Sequence, residues 1–479
     1  MAFLDGTVVN VALPVMQRQL GMTVDLAQWV VEAYSLFLAS LVLVGGALGD
    51  HLGRKRVFST GVLVFAAASV ACGLAPGAVT LIIFRAIQGV GAALLVPGSL
   101  ALISAAHDES ERGAAIGTWS AFGAITAAIG PLAGGWVVAH SSWRSLFFFN
   151  VPIAAIVIGL ARRRVVETRD ETADPRIDGL GAALATTGLG FMVYGLLEDR
   201  PLLLGAGLAI LGAFVVVEAK RPAPMMPLAL FRRRTFAGTN LLTFFLYAGL
   251  GGGLFFLPFN LIQVQGYSPA AAGASLLPFV LLLSVMSRRM GALTVQWGAR
   301  PLLIAGPLVA AGGFALLAVP TVGGSYWTTF LPGIVVLGLG MGVTVAPLTT
   351  AVMGSVEAQH AGVASGVNNA VARAAGLLAI AALGLVVVAR FNRVLDGELA
   401  AMSLPEAAAR MVEARRDKLV GADFGDVGDA PLRAVLGRAF ATAYVEGFRA
   451  SMLVCAGLGV LGAACALWLV ESKDGPRRR

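Results

Sequence analysis

Four ionisable side chains interrupt stretches that are otherwise apolar, and chemistry is expected there first. Asp5 lies in LDGTVVNVALP (4–14), Glu32 in QWVVEAYSLFLAS (28–40), Arg85 in IIFRAIQGVGAA (82–93) and Arg373 in GVNNAVARAAG (366–376). A carboxylic acid held among apolar helices can take up a proton from one side and release it to the other. Asp5 is the leading candidate for that work. Four residues precede it, so the plain alternative is an acid in a first helical turn, favoured there by the macrodipole. Glu32 is expected about one turn into its helix. It is read as an auxiliary proton site, as a receptor for a lipophilic cation, or as a side chain snorkelling to the membrane surface. Arg85 has no acid near it in sequence, and Gln88 and Gly89 share its helical face at i+3 and i+4. Such a guanidinium must find a partner on a facing helix or line a wet cavity. It then either tunes a carboxylate or serves as a hub for backbone carbonyls.

A second kind of site is GALGDHLGRKRVF (46–58), a short charged turn pinned between two long apolar segments. A charge at mid-membrane costs roughly 2.5–3.5 kcal/mol, so so short a hairpin keeps Asp50, Arg54, Lys55 and Arg56 at the surface, beside two helix ends. With Gly46 and Gly53 at their spacing, the turn reads as a gate latch; a plain charged anchor explains the cations but not the glycines and the acid. Gly130, Pro131, Gly134 and Gly135 carry no chemistry. The proline removes a helix hydrogen bond and the glycines admit a close neighbour, which suits a hinge and proton seal, or packing alone. Asn10, Gln88, Asn240, Asn260, Asn369 and Arg373 are the candidates to line a central substrate cavity. The competing role for each is an interhelical hydrogen bond, worth about 0.6 kcal/mol.

The elements that position these residues follow from composition. The chain has 479 residues, 57% hydrophobic and 13% charged, with 60 glycines and a mean hydropathy of +0.82. Soluble domains carry about 25% charged residues, so this is an all-α polytopic membrane protein. A span needs about 20 apolar residues. That rule predicts fourteen helices near 3–19, 29–48, 57–74, 79–105, 114–139, 146–162, 179–197, 201–218, 237–262, 270–287, 301–320, 326–350, 362–389 and 447–470. The formal charge of +8 sits mostly in short turns and the tail, which marks topology rather than a nucleic-acid surface. It predicts both termini in the cytoplasm. No cleavable signal peptide is evident. Cys72, Cys455 and Cys465 lie in apolar runs and read as packing residues. The four histidines are isolated, and H-E-x-x-H, Walker and nucleophile-elbow motifs are lacking. No metal or cofactor is implied, and ATP drive and hydrolysis are disfavoured.

The charged turn has a loose echo at Gly291, Leu293, Gly298 and Arg300, with Val295 in place of Asp50, and GVGAA (89–93) is echoed by GLGMG (338–342). Two six-helix halves, 1–163 and 237–479, with a linker and helix pair in 164–236 between them, account for both echoes. Parallel halves suit a secondary transporter working by alternating access. Within the second half, 391–446 is long for a turn. Its segments PEAAARMVEARRDKLV and PLRAVLGRAFATAYVEGF look helical and amphipathic, as in an external hairpin that lids the vestibule, contacts a periplasmic adaptor or does neither.

These segments together resemble the major facilitator superfamily, and within it the fourteen-helix drug:proton antiporters of the EmrB/QacA kind. The resemblance covers essentially the whole chain. It rests on LDGTVVNVALP (4–14), GALGDHLGRKRVF (46–58), IIFRAIQGVGAA (82–93), Gly117 with Gly130, Pro131, Gly134 and Gly135, WRSLFFFNVPIA (143–154) and GVASGVNNAVARAAG (362–376). The chain departs from the family at His51, where Arg is usual, and at Thr126, where Gly is usual. Family members also carry about half a span before the position of Asp5. The resemblance implies a proton-coupled exporter of lipophilic, often cationic, small molecules in the bacterial inner membrane, functional as a monomer. Export of a single metabolite, or monovalent-cation/proton exchange, are the other activities it admits.

Overall fold

The computed structural model describes residues 1–106, 126, 129–130, 132–169, 178–198, 200–222, 224, 226–356, 361–400, 402 and 406–471. Every regular element among them is helical. In a bilayer this is forced, because a helix satisfies its own backbone hydrogen bonds and an open strand does not. The helices are α1 Ala2–Leu20, α2 Val24–Leu52, α3 Arg54–Leu74, α4 Ala78–Ala106, α5 (132–140), α6 Trp143–Phe148, α7 Asn150–Arg164, α8 Gly179–Leu197 and α9 Pro201–Lys220. There follow α10 Arg234–Phe259, α11 Pro269–Ala274, α12 Leu277–Trp297, α13 Ala299–Leu317, α14 Leu331–Gly354, α15 Ala361–Ala400, α16 Glu406–Glu413 and α17 Ala430–Leu469.

Among the described residues, twelve spans are long and apolar enough to cross a membrane. Of the fourteen expected, the other two are α1, a helix of 19 residues, and 114–139, much of which lies outside the described residues. In the segment 391–446, residues 391–400 continue α15 and residues 430–446 open α17. Each of these helices has 40 residues, about 60 Å at 1.5 Å per residue. That is twice the ~30 Å hydrocarbon core, so both run on well past it.

The chain forms two compact units: 1–12 with 26–228, and 13–25 with 229–479. In the first, α3 packs on α4, α6 and α7, and α8 on α9. In the second, α14 packs on α12 and α13, and α17 on α10, α13 and α15.

Both sequence echoes have structural counterparts. Gly53 (φ 106°) and Gly298 (φ 78°) each stand at a junction between consecutive helices, α2/α3 and α12/α13, in backbone that L side chains rarely adopt. In the other echo, a Cβ on Gly89 would lie 2.4 Å from Tyr34 O of α2, and one on Gly91 2.6 Å from Phe65 N of α3. Likewise a Cβ on Gly338 would meet Phe279 of α12 at 2.9 Å, and one on Gly340 Ala310 N of α13 at 2.3 Å. The same alternation of small residues therefore seats α4 on α2 and α3, and α14 on α12 and α13.

Candidate proton-coupling site

Asp5 and Arg85, eighty residues apart in sequence, meet inside the first unit. Their side chains are 2% and 1% exposed. Asp5 lies in the first turn of α1, its N–H bonded to Met1 O at 2.9 Å, yet it is walled in by four neighbouring elements. From α4, Arg85 Nη1 donates to Asp5 Oδ2 and, at 2.7 Å, to Gln88 Oε1 one turn on. From α2, Val30 O accepts from Arg85 Nε at 3.0 Å, and the Tyr34 ring lies under the guanidinium, 4.3 Å from ring centre to Cζ. The cation is therefore held on its charged edge, its Nε and its π face together.

The second carboxylate oxygen is held by amides. Gln88 Nε2 donates to Asp5 Oδ1 at 3.0 Å and to Ser69 Oγ of α3 at 3.2 Å. Asn150 Nδ2, at the start of α7, donates to Ser69 Oγ at 2.9 Å and to Asp5 Oδ1 at 3.5 Å. Ser69 in turn donates to Phe147 O at 2.9 Å, which fixes its hydroxyl as an acceptor toward both amides. Tyr34 Oη donates to Ala2 O at 3.3 Å and ties α2 to the head of α1. All these side chains are buried. Burying a lone charge is costly, whereas a paired and fully hydrogen-bonded one is tolerated. The network supplies both conditions.

The remaining sequence candidates fall partly inside this network and partly elsewhere. Gln88 sits inside the network with both ends of its amide engaged. Glu32 lies on α2, eight residues past its start at Val24, because that helix begins earlier than hydropathy alone suggests. It is 0% exposed, and neither carboxylate oxygen has a hydrogen-bond partner among the described residues. In the charged turn, a Cβ added at Gly46 would make only an ordinary contact with Pro97, Gly53 opens α3 and Arg54 N donates to Thr168 O at 2.8 Å. Asp50 belongs to the last turn of α2; its side chain lies outside the described residues, as does Pro131. Gly130 and Gly134 press on α1, where added Cβ atoms would lie 2.1 Å from Thr7 Oγ1 and 3.1 Å from Val8 Cγ1. Gly135 is buried beside them.

In the second unit Asn240 Nδ2 donates to Phe236 O at 2.9 Å, and its Oδ1 accepts from Asn368 Nδ2 at 3.1 Å. Asn260 is buried in a π turn after α10, and its Oδ1 accepts from Gln265 Nε2 at 3.1 Å. Asn369 is exposed and Arg373 half-buried on α15, while Asn10 is half-buried on α1. Sequence reading missed Ser69 and Tyr34 as members of the Asp5 network, and noted Asn150 only within a motif. It also missed Glu167, whose oxygens accept from the N–H groups of Lys55 at 2.9 Å and Arg56 at 3.1 Å at the start of α3. Their only sequence signal is a polar residue in an apolar run, or an acid after a basic cluster.

With this geometry in place the chain can be set against known proteins. The profile of the Major Facilitator Superfamily matches residues 1–380. The chain belongs to the major facilitator superfamily. This superfamily member is 37% identical over 395 residues to a puromycin resistance protein of Streptomyces alboniger, covering 80% of this chain and 78% of that one. It is 30% identical over 491 aligned positions to the tetracenomycin C resistance and export protein of Streptomyces glaucescens, covering 100% and 90%. In three dimensions it resembles a bacterial homolog of the human lysosomal transporter Spinster, with a TM-score of 0.69, 17% identity and 97% and 93% coverage. That likeness is one of fold. The chain is thus a multi-pass membrane transporter, and its buried acid–guanidinium network lies within the span of the family match.

Proposed function

We propose that this transporter is a proton-driven antiporter that exports lipophilic small molecules across the bacterial cytoplasmic membrane by alternating access. The observation that carries the reading is the buried Asp5–Arg85 pair. A proton and Arg85 compete for the same carboxylate. When the proton binds, Arg85 keeps Val30 O, Gln88 Oε1 and the Tyr34 ring, so the cation stays seated while Asp5 becomes neutral. When the proton leaves, the ion pair reforms. The site therefore has two arrangements that differ by one charge, which is what a conformational cycle needs to bias. A proton entering down the membrane potential releases about 2.3 kcal/mol per 100 mV. Relatives whose names state antibiotic resistance and export support the direction of transport.

The bundles 1–163 and 237–479 are the bodies that rock, with the helix pair of 164–236 as an insert and both termini in the cytoplasm. The turn at Gly46, Asp50, Gly53 and Arg54 latches the inner gate, while Gly130, Pro131, Gly134 and Gly135 let α5 move against α1. Asn10, Asn240, Asn260, Asn369 and Arg373 offer polar contacts to substrate, and Glu32 is an auxiliary acid. A single chain is the functional unit, with any periplasmic adaptor an addition to it. The test uses inside-out vesicles carrying an imposed pH gradient. A transported lipophile such as puromycin should dissipate the gradient in wild type and not in Asp5→Asn. A gradient left intact by a broad substrate panel in wild type would reject proton-driven export.

A further inference from the structure

Between α1, α5 and the α6–α7 pair lies a crevice of ≈ 200 Å³, headed by Asp5 and Asn150 and walled by apolar side chains such as Val8, Ala133, Val137 and Ile153. Ile129 and Phe149, two apolar residues that also line it, are exposed, so the crevice opens to the surroundings of the first unit. Two features of the head define what fits. The first is an unused acceptor. Asn150 is 2% exposed, and its Nδ2 is committed to Ser69 and Asp5. That commitment fixes the amide, since the reverse orientation would set its oxygen against the carboxylate. Asn150 Oδ1 is then left buried with no hydrogen-bond partner among the described residues, an unfavourable arrangement that a donor would relieve. The second feature is charge balance. Asp5 is already matched by Arg85, so a permanent cation entering the crevice would leave net positive charge in apolar surroundings. A neutral molecule adds none.

We infer that this crevice binds a neutral lipophilic molecule bearing one N–H or O–H donor, its apolar body against the walls and its donor on Asn150 Oδ1. The ligand head then sits one amide away from Asp5, because the same Asn150 side chain touches both. Occupancy and protonation are thereby linked through a shared hydrogen-bonding group. The inference deepens the export reading, on which its biological meaning rests, by naming the kind of solute that reaches the proton-bearing acid.

The test is a binding measurement on the purified full-length transporter in lipid nanodiscs, with empty nanodiscs as background. The probes are N-phenyl-1-naphthylamine, which is neutral, fluorescent and carries one N–H, its N-methylated counterpart, which has none, and tetraphenylphosphonium as a permanent cation. Wild type should favour the N–H probe over its methylated form by about tenfold, the factor that one net neutral hydrogen bond supplies. Asn150→Leu should erase that preference, bringing the two probes to equal affinity. Ala133→Phe, on the apolar wall and outside the polar network, should weaken both by tenfold or more. Tetraphenylphosphonium should displace neither. Signal no greater than empty nanodiscs, meaning that only lipid occupies the crevice, would overturn the inference, as would an unchanged preference in Asn150→Leu. Equal displacement by the cation would overturn the neutral-ligand assignment. Should these results fail while Asp5→Asn still abolishes gradient dissipation, the crevice is wrong and proton-driven export stands.

Discussion

Removing both members of the Asp5–Arg85 pair should destabilise the protein no more than removing either one alone. Stranding one partner of a buried pair costs about 3–5 kcal/mol, because an uncompensated charge stays behind. Asp5→Asn leaves the guanidinium with Val30 O, Gln88 Oε1 and the Tyr34 ring. These share its charge without neutralising it, so the low end, about 3 kcal/mol, is expected. Arg85→Met leaves a carboxylate with Gln88 and Asn150 as donors. This loss should likewise be about 3 kcal/mol. The double variant buries no charge but loses the three hydrogen bonds that Arg85 donates, about 1 kcal/mol each, or about 3 kcal/mol in all. The cycle thus predicts a coupling of roughly 3 kcal/mol. Coulomb's law gives a similar figure, about 4 kcal/mol, for contact at an effective dielectric of 20. Denaturant titration of the three variants in mixed micelles measures it. A double variant as unstable as the sum of the singles would refute the pairing.

Four further outcomes are expected. Gly89→Ala would place a Cβ 2.4 Å from Tyr34 O; pushing α2 off α4 should cost about 1–3 kcal/mol and reduce proton-coupled transport, read by thermal unfolding and vesicle uptake. Glu32→Met removes a buried carboxyl with no hydrogen-bond partner among the described residues. It should raise stability by about 1–3 kcal/mol while lowering transport; a stability gain with unchanged transport would strip Glu32 of any role. Glu167→Ala removes two backbone hydrogen bonds at the start of α3 and should cost about 1 kcal/mol, with faster hydrogen exchange at Lys55 and Arg56. Lastly, Arg415 holds the Asp426 carboxyl below the usual carboxylate range through hydrogen bonds to both oxygens. A depressed acid contributes stability above its unfolded-state value and loses it as pH falls through the folded one. Protection factors around 423–428, which are the intrinsic amide rate at each pH divided by the observed exchange rate, should therefore fall in acid and not in alkali.

Hydropathy exposed most of the helices, because a membrane demands long apolar runs whatever packs against them. It placed the start of the last span at 447, whereas α17 begins at Ala430. The missing part, with its charged and apolar residues alternating around the helix, is amphipathic and falls below an apolar threshold. Asp5 and Arg85 each stood out singly as ions in apolar surroundings. Their meeting could not be read from the chain, since nothing in local spacing joins α1 to α4. Ser69 and Tyr34 were silent for a related reason: one hydroxyl in a hydrophobic helix has the same composition whether it bridges a network or bonds its own backbone. Gly53 and Gly298 were legible as an echo of spacing, and the positive φ at both explains why glycine stands at each.

The most direct measurement of the central claim is solute transport by Asp5→Asn in proteoliposomes under two regimes. With a pH gradient imposed, wild type should accumulate a labelled lipophilic substrate and Asp5→Asn should not. With no gradient and substrate on both sides, Asp5→Asn should still exchange label at a rate near wild type, because substrate passage survives the loss of its proton partner. Gradient-driven accumulation by Asp5→Asn at the wild-type level would contradict the account.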